Sequence, residues 1–483
     1  MSVRERPVVS PRDPGGPPRR RGGSPLGALL LRLHFYAGIL VGPFILVAAL
    51  SGALYALTPQ LEQAVYAHEL HAPSPDSTVP LAAQIEAANA HVGAGTALFA
   101  VRPAPEPGDT TRIMYAVDGL GPSESLAVFV DPGTAQVRGE LVVYGTSGAT
   151  PLRTWVSNLH RTLNLGDPGR VYSELAASWL GIVAIAGIAL WGIRLRKAKV
   201  KRDLLRPDPA HRGYRRLFGW HASLGVWVLL GALFLSATGI TWSQYAGANV
   251  DTLRAALDWG TPTVSISLNG TTAAADGHAH HHGAESAPSG SANPATFDAV
   301  LAIAQRQNVN TGQVEIKPPA EPGAAWTVRE IKTGFPTESD SLAIDGTTMQ
   351  VVDRVDFADI PLAAKLASWG INIHMGVMFG PANQIVLFVV ALAIAAMVVL
   401  GYLMWWRRRP GRNPSRIVGT PPGRALRGAP WWEIGMVAVI AVFVGLWLPL
   451  VGWTLLGFLV LDTLIPWVRR AAHARRPPGH QEV

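Results

Sequence analysis

Six stretches of this chain are almost purely apolar: residues 35–57, 175–193, 222–242, 383–406, 434–449 and 451–468. A helix of about twenty such residues spans the ~30 Å hydrocarbon core of a bilayer, where only a structure that satisfies its own backbone is tolerated. A soluble protein can bury one such run, but not six. The pattern predicts an α-helical multi-pass membrane bundle of about six spans, the last two short and separated by a bend at Gly452. After the first and third runs the periodicity changes. Residues 80–90 and 295–306 carry apolar positions at helical spacing. Strand-like runs follow: Leu126–Val130, an Asp131-Pro132-Gly133 turn and Ala135–Val143, then in the second half Ser341–Ile344, a turn at Asp345-Gly346 and Met349–Val355. Each intervening segment reads as an α+β module.

The halves are copies of one another. Trp155-x-x-Asn158-x-His160 and Trp369-x-x-Asn372-x-His374 lie 214 residues apart, and the two hairpins and the pair Pro80 and Pro294 keep that offset. The first spans differ by 187, which leaves 27 extra residues between Gly239 and Pro294. The low-complexity stretch 270–293 falls there and reads as an insertion in a linker. Its His278, His280, His281 and His282 form a tract that can hold Zn, Ni or Cu loosely, although a neutral insertion accounts for it equally. The resulting order is a basic tail (1–25), a span (26–57), a module (58–150), an amphipathic segment with a span (151–195) and a loop (196–216). A span (217–242), a module (243–367), an amphipathic segment with a span (368–406), a loop (407–430), two final spans (431–468) and a tail (469–483) complete it.

Charge orients this plan. Of 41 Lys and Arg, 28 fall within 1–32, 194–216, 407–427 and 469–483, segments that share one side. Short basic loops stay in the cytoplasm, so both termini are placed there and both modules outside. Residues 58–150 carry ten acidic residues against three arginines. The basic excess marks topology, and nucleic-acid binding is not needed to explain it. The first run exceeds the apolar region of a signal peptide and its counterpart is internal, so both read as anchors. The chain has no cysteine, which excludes disulfides, thiolate iron–sulfur sites and covalent haem attachment.

Four histidines recur in matched places. His34 and His221 begin the first and third spans, each followed seventeen residues later by a hydroxyl–glycine pair, Ser51-Gly52 and Thr238-Gly239. His160 and His374 precede the second and fourth spans on the outer side, each 31 residues before a tryptophan, Trp191 or Trp405. Ionisable groups at membrane depth are costly and rarely idle, and neutral imidazole is a good iron ligand. Two histidines at each face match the axial ligands that two haems need. Duplication of two structural histidines leaves the same pattern. Gly38, Gly42, Gly52, Gly225, Gly231 and Gly239 permit close helix packing or leave room for a flat macrocycle. Trp191, Trp405 and Trp406 read either as stacking residues or as aromatics of the interfacial belt. Asn158 and Asn372 either orient the site or cap helices, and Arg161 either meets an anion or pairs with Asp167. His68 and His71 have no counterpart in the second half and read as solvated loop residues or substrate contacts. No G-x-G-x-x-G follows a strand and no P-loop is present, so reducing equivalents must come from elsewhere.

The duplicated span–module–span plan, the Val130-Asp131-Pro132-Gly133-Thr134-Ala135-Gln136-Val137 hairpin and the Leu159-His160-Arg161-Thr162-Leu163 segment resemble the PepSY-associated transmembrane family over roughly residues 25–410. Members similar to this chain include iron-regulated inner-membrane proteins and ferric-siderophore reductases with two b-type haems. The resemblance implies a bacterial cytoplasmic-membrane protein with two non-covalent b-type haems; their shared depth supports His34 with His221 and His160 with His374 as the ligand pairs. It also implies a ferric chelate or siderophore outside, and a membrane quinol or separate reductase as donor. A competing implication is non-enzymatic: PepSY modules resemble inhibitory pro-regions, so the pair would bind or regulate an extracytoplasmic peptidase. Transporters also contain repeated halves, but these spans lack a mid-membrane charge and both repeats begin on the same side.

Overall fold

The computed structural model describes residues 24–73, 77–93, 95–197, 205–268, 292–408 and 429–474. The first half runs α1 (Pro25–Leu40), α2 (Gly42–Ala56), α3 (Thr58–Val65), α4 (Ala67–Leu70), α5 (Leu81–Val92), β1 (Ala97–Arg102), β2 (Thr111–Ala116), β3 (Glu124–Val130), β4 (Val137–Tyr144), α6 (Pro151–Thr162) and α7 (Asp167–Lys197). The second runs α8 (Gly213–Trp227), α9 (Leu229–Thr241), α10 (Tyr245–Ala256), α11 (Pro294–Arg306), β5 (Val314–Lys317), β6 (Trp326–Glu330), β7 (Ser341–Ile344), β8 (Val351–Val355), α12 (Leu362–His374) and α13 (Gly380–Arg407). A hairpin of α14 (Trp431–Trp447) and α15 (Pro449–Ala474) follows.

The first and third apolar runs are not straight spans. Each breaks into two helices bent by 62°, α1 with α2 at Val41 and α8 with α9 at Val228. Pro43 accounts for the first bend, because it has no N–H to offer the carbonyl of Ile39. The Tyr402 hydroxyl donates to that carbonyl instead, at 2.5 Å. No proline marks the second bend. In both copies the bend lets one helix pair change partners: α1 packs on α7 and α2 on α13, while α8 packs on α13 and α9 on α7. The core between them is built from Ala37, Val41, Ile45, Trp179, Val228 and Ile394.

Two to four of the six expected spans are seen among the described residues. Among the described residues, α7 and α13 are long and apolar enough to cross a membrane, and counting each bent pair as one crossing raises two spans to four. Of the remaining helices, α14 is an apolar helix about 25 Å long at 1.5 Å per residue, and the 26-residue α15 opens with the apolar stretch Pro449–Val460. Their break falls at Leu448 rather than Gly452, because the residue before Pro449 is pushed out of the helical region, here to φ −118 and ψ 82. Gly452 instead lets the hairpin close, since a Cβ there would lie 2.9 Å from Gly445 Cα.

The two modules also differ from expectation, because they share one sheet. Eight antiparallel strands run in the order β4-β3-β2-β1-β5-β6-β7-β8, joined at the centre where Val101 of β1 faces Ile316 of β5. On one face α5 and α11 bury Ile85, Phe297 and Val300 against Val101, Ile113, Ile316 and Leu342. Asp298 of α11 accepts the free N–H groups of Leu81 and Ala82 at 2.8 and 2.9 Å, capping the helix of the other half. The opposite face is covered by Leu70 in the first half and by Val264 in the second. Edge strands β4 and β8 lead through short connections, the second with a 3-10 turn at Phe357–Asp359, to α6 and α12, the helices that carry His160 and His374.

Candidate functional site

The fold brings the four histidines together in pairs drawn from opposite halves. His34 of α1 and His221 of α8 each lie seven residues before their bend, with ring centres 6.1 Å apart and planes at 76°. His34 Nδ1 is 3.0 Å from the Val183 carbonyl of α7, and His221 Nδ1 is 3.1 Å from the Met397 carbonyl of α13. A carbonyl oxygen only accepts, so each Nδ1 carries the proton and each Nε2 keeps its lone pair.

At the sheet end, His160 in the last turn of α6 and His374 at the end of α12 have ring centres 6.3 Å apart, with planes at 60°. A Cβ on Gly169 would lie 1.8 Å from the Thr162 carbonyl, so glycine is needed where α7 starts against the end of α6. His160 Nδ1 is 3.1 Å from Ser51 Oγ, and His374 Nδ1 is 2.6 Å from Thr238 Oγ1. Those hydroxyls already donate their hydrogens to the carbonyls of Val47 and Phe234, both at 2.7 Å. With that hydrogen given to a carbonyl each hydroxyl accepts from its imidazole, which assigns these two rings as Nδ1–H tautomers as well. All four Nε2 atoms therefore keep a lone pair.

This arrangement fits a bis-imidazole iron site. Ring centres 6.1 and 6.3 Å apart bring the two imidazoles of each pair close enough that both would serve one iron. Among the described residues no group of three or more His, Cys, Asp or Glu gathers around a point. A haem asks for two axial groups, because its macrocycle brings the equatorial nitrogens. Glycines line both pairs: a Cβ would lie 3.2 Å from His34 Cε1 at Gly187, and 3.2 Å from His160 Cε1 at Gly52. Gly38, one turn beyond His34, and Gly401, the counterpart of Gly187, have nothing within 4 Å of a Cβ position. The two sites are separated by ~22 Å, from seventeen residues of helix rising 1.5 Å each through the bend.

Other candidates lie as follows. Arg161 does not pair with Asp167. Its Nη2 donates to Asn158 Oδ1 at 3.2 Å and to Tyr144 Oη at 3.3 Å, with the guanidinium over the Tyr144 ring. Tyr144, Asn158, Trp155 and Glu124 line a cleft of about 290 Å³ beside the His160 helix. The second half fills its matching place, where Trp369 Nε1 donates to Thr337 Oγ1 at 2.8 Å and its ring meets Phe357. His71 sits between Gln63 Oε1 at 2.6 Å and Asp109 at 3.3 Å, part exposed. Trp405 packs edge-on against Tyr402 at 6.0 Å, and Trp406 is exposed. His278, His280, His281 and His282 lie outside the described residues. The hydroxyls of Ser51 and Thr238 join the site unexpectedly; their signal in the sequence is recurrence seventeen residues after each span-opening histidine.

Apolar helices long enough to cross a bilayer, a two-fold repeat and a shared extramembrane sheet define a duplicated membrane protein. The PepSY-associated TM region matches residues 31–408, and the chain belongs to that family. All four histidines fall within the match, and the α14–α15 hairpin falls outside it. No curated protein matches the chain.

Proposed function

We propose that the protein is a di-haem b electron-transfer protein of the bacterial cytoplasmic membrane, which reduces an extracytoplasmic ferric chelate such as a siderophore complex for iron uptake. The observation that carries this reading is the double pairing of Nδ1–H imidazoles, at 6.1 and 6.3 Å between ring centres. In this reading the six apolar runs are all membrane segments, both termini are cytoplasmic and the sheet is outside, an orientation that the distribution of Lys and Arg supports. His34 and His221 hold the cytoplasmic haem, and His160 and His374 the outer one. Each haem supplies a reversible one-electron couple when bound.

The chain's own groups hold the ligands and bridge the membrane. Val183 and Met397 carbonyls fix the inner imidazoles, and Ser51 and Thr238 hydroxyls fix the outer ones. Because the protons remain on Nδ1, the ligands need not exchange a proton as an electron passes. Membrane quinol or a separate reductase supplies the electrons. A quinol gives up two electrons and two protons, enough to reduce two ferric chelates by one electron each. The cleft of Tyr144, Trp155 and Asn158, with Arg161 at its edge, lies on the outer histidine's helix, where an anionic chelate would meet the haem.

The test is an absorption spectrum of the protein purified in detergent from haem-replete cells, oxidised and then dithionite-reduced, with haem counted per chain. A sharp reduced b-type spectrum with about two haems per chain supports the reading. A colourless protein overturns it and leaves the peptidase-binding reading in front.

A further inference from the structure

We propose that Ser51 and Thr238 are positioning residues that hold the sheet-side imidazoles in their ligating tautomer and set the reduction potential of that haem independently of the other. The inference rests on the haem reading above. The two ends are built from different groups. At the far pair the acceptors of Nδ1–H are backbone carbonyls, Val183 O and Met397 O, which no substitution removes. At the sheet-side pair side-chain oxygens enter, Ser51 Oγ beside the Ala48 carbonyl at His160 and Thr238 Oγ1 at His374, which makes Thr238 the sharper of the two tests.

The hydroxyls are themselves fixed. Ser51 donates to Val47 O and Thr238 to Phe234 O, the carbonyl four residues back in each helix. This back-bond holds the hydroxyl in one rotamer and turns its lone pairs outward toward the ring. The glycine that follows Ser51 completes the seat, since a Cβ on Gly52 would crowd His160 Cε1 at 3.2 Å. The recurring His–seventeen–hydroxyl–Gly pattern thus acquires a physical meaning. Each bent helix pair carries a ligand for one site and the orienting hydroxyl for the other.

An acceptor on Nδ1–H makes the opposite nitrogen more basic, and a more basic axial ligand favours ferric over ferrous iron. Removing the hydroxyl therefore weakens the ligand and raises the potential of that one haem. No proton or bond is exchanged at the hydroxyl, so its effect is confined to orientation and electron density.

The test is a spectroelectrochemical titration of the full-length protein carrying Thr238→Val, which keeps the shape of threonine without its acceptor. Ser51→Ala, on the other ring, is measured alongside. One midpoint should move upward or its haem be lost, the second should stay in place, and Thr238→Ser should restore the original value. Unmoved midpoints in both variants, or an equal shift of both haems, would overturn the proposal while leaving the haem reading intact. A haem-free unaltered protein removes the haem reading, and this proposal with it.

Discussion

The joint between the half-sheets gives the sharpest quantitative prediction. Arg102 of β1 crosses it to Glu315 of β5, with Nε and Nη2 at 2.8 and 2.5 Å from the same carboxylate oxygen. The side chains are 7% and 3% exposed. A single facing pair, Val101 with Ile316, joins the strands, so the backbone ladder contributes little there. Removing one member of a buried ion pair costs about 3–5 kcal/mol, because the other charge stays desolvated. Lys317 and Arg329 remain 3.6 and 3.5 Å from Glu315 and place Arg102→Met at the lower end. At about 1.4 kcal/mol per tenfold, a loss of about 3 kcal/mol makes local opening roughly a hundredfold more frequent. Hydrogen–deuterium exchange of the detergent-solubilised protein reads this directly at the amides of 97–102 and 314–317. Arg102→Met with Glu315→Leu should recover most of the protection, since neither member of the pair is left buried without the other. An acceleration below about threefold in Arg102→Met, the worth of an exposed pair, would refute the reasoning.

The same carboxyl sets a pH limit. Burial alone would push Glu315 up, but Arg102, Lys317 and Arg329 together bring it down to about 2. A depressed carboxyl stabilises fully above its ordinary value of about 4.3 and loses that contribution as pH falls through the folded value. Sheet stability measured by thermal circular dichroism should therefore be level from about pH 7 to 5 and fall by about 3 kcal/mol toward pH 2; a loss already under way at neutral pH would contradict the assignment. Asp298→Ala removes both N-terminal caps of α5 and should cost about 1–2 kcal/mol, seen as faster exchange at residues 81–84 and not at the distant β8. Gly187→Leu drives side-chain atoms into the space 3.2 Å from His34 Cε1 and should remove one haem, leaving the sheet-side haem spectrum unchanged; retention of both haems would show that this ring has room to move.

The chain's pattern made some of this legible and hid the rest. The duplication offset of 214 aligned His160 with His374, and that of 187 aligned His34 with His221. Each pair then meets across the pseudo-symmetry of the fold. Helices α5 and α11 and the hairpins at Asp131 and Asp345 follow local spacing and turn chemistry, which act over a few residues. Strands β1, β2, β5 and β6 went unread because the sheet is covered on both faces, so Ala97–Arg102 shows no clean alternation and β5 carries the buried Glu315. The joining of the modules depends on β1 and β5, more than two hundred residues apart, and no local periodicity encodes such a pairing. The bends at Val41 and Val228 were invisible because an apolar run reports hydrophobicity and not direction; Pro43 was a cue for the first, and the second had none. The tautomers could be assigned only once the partners of each Nδ1 were known.

The central claim is that two separate sites are each built from one histidine of either half. Haem content in a matched set of histidine variants tests it most directly. His34→Ala and His221→Ala should each lose one haem, and the double variant should lose that same haem and no more. Combining His34→Ala with His374→Ala should leave none. A His34–His374 double variant that still holds one haem, or a His34–His221 double variant that holds none, would contradict the pairing on which the account stands.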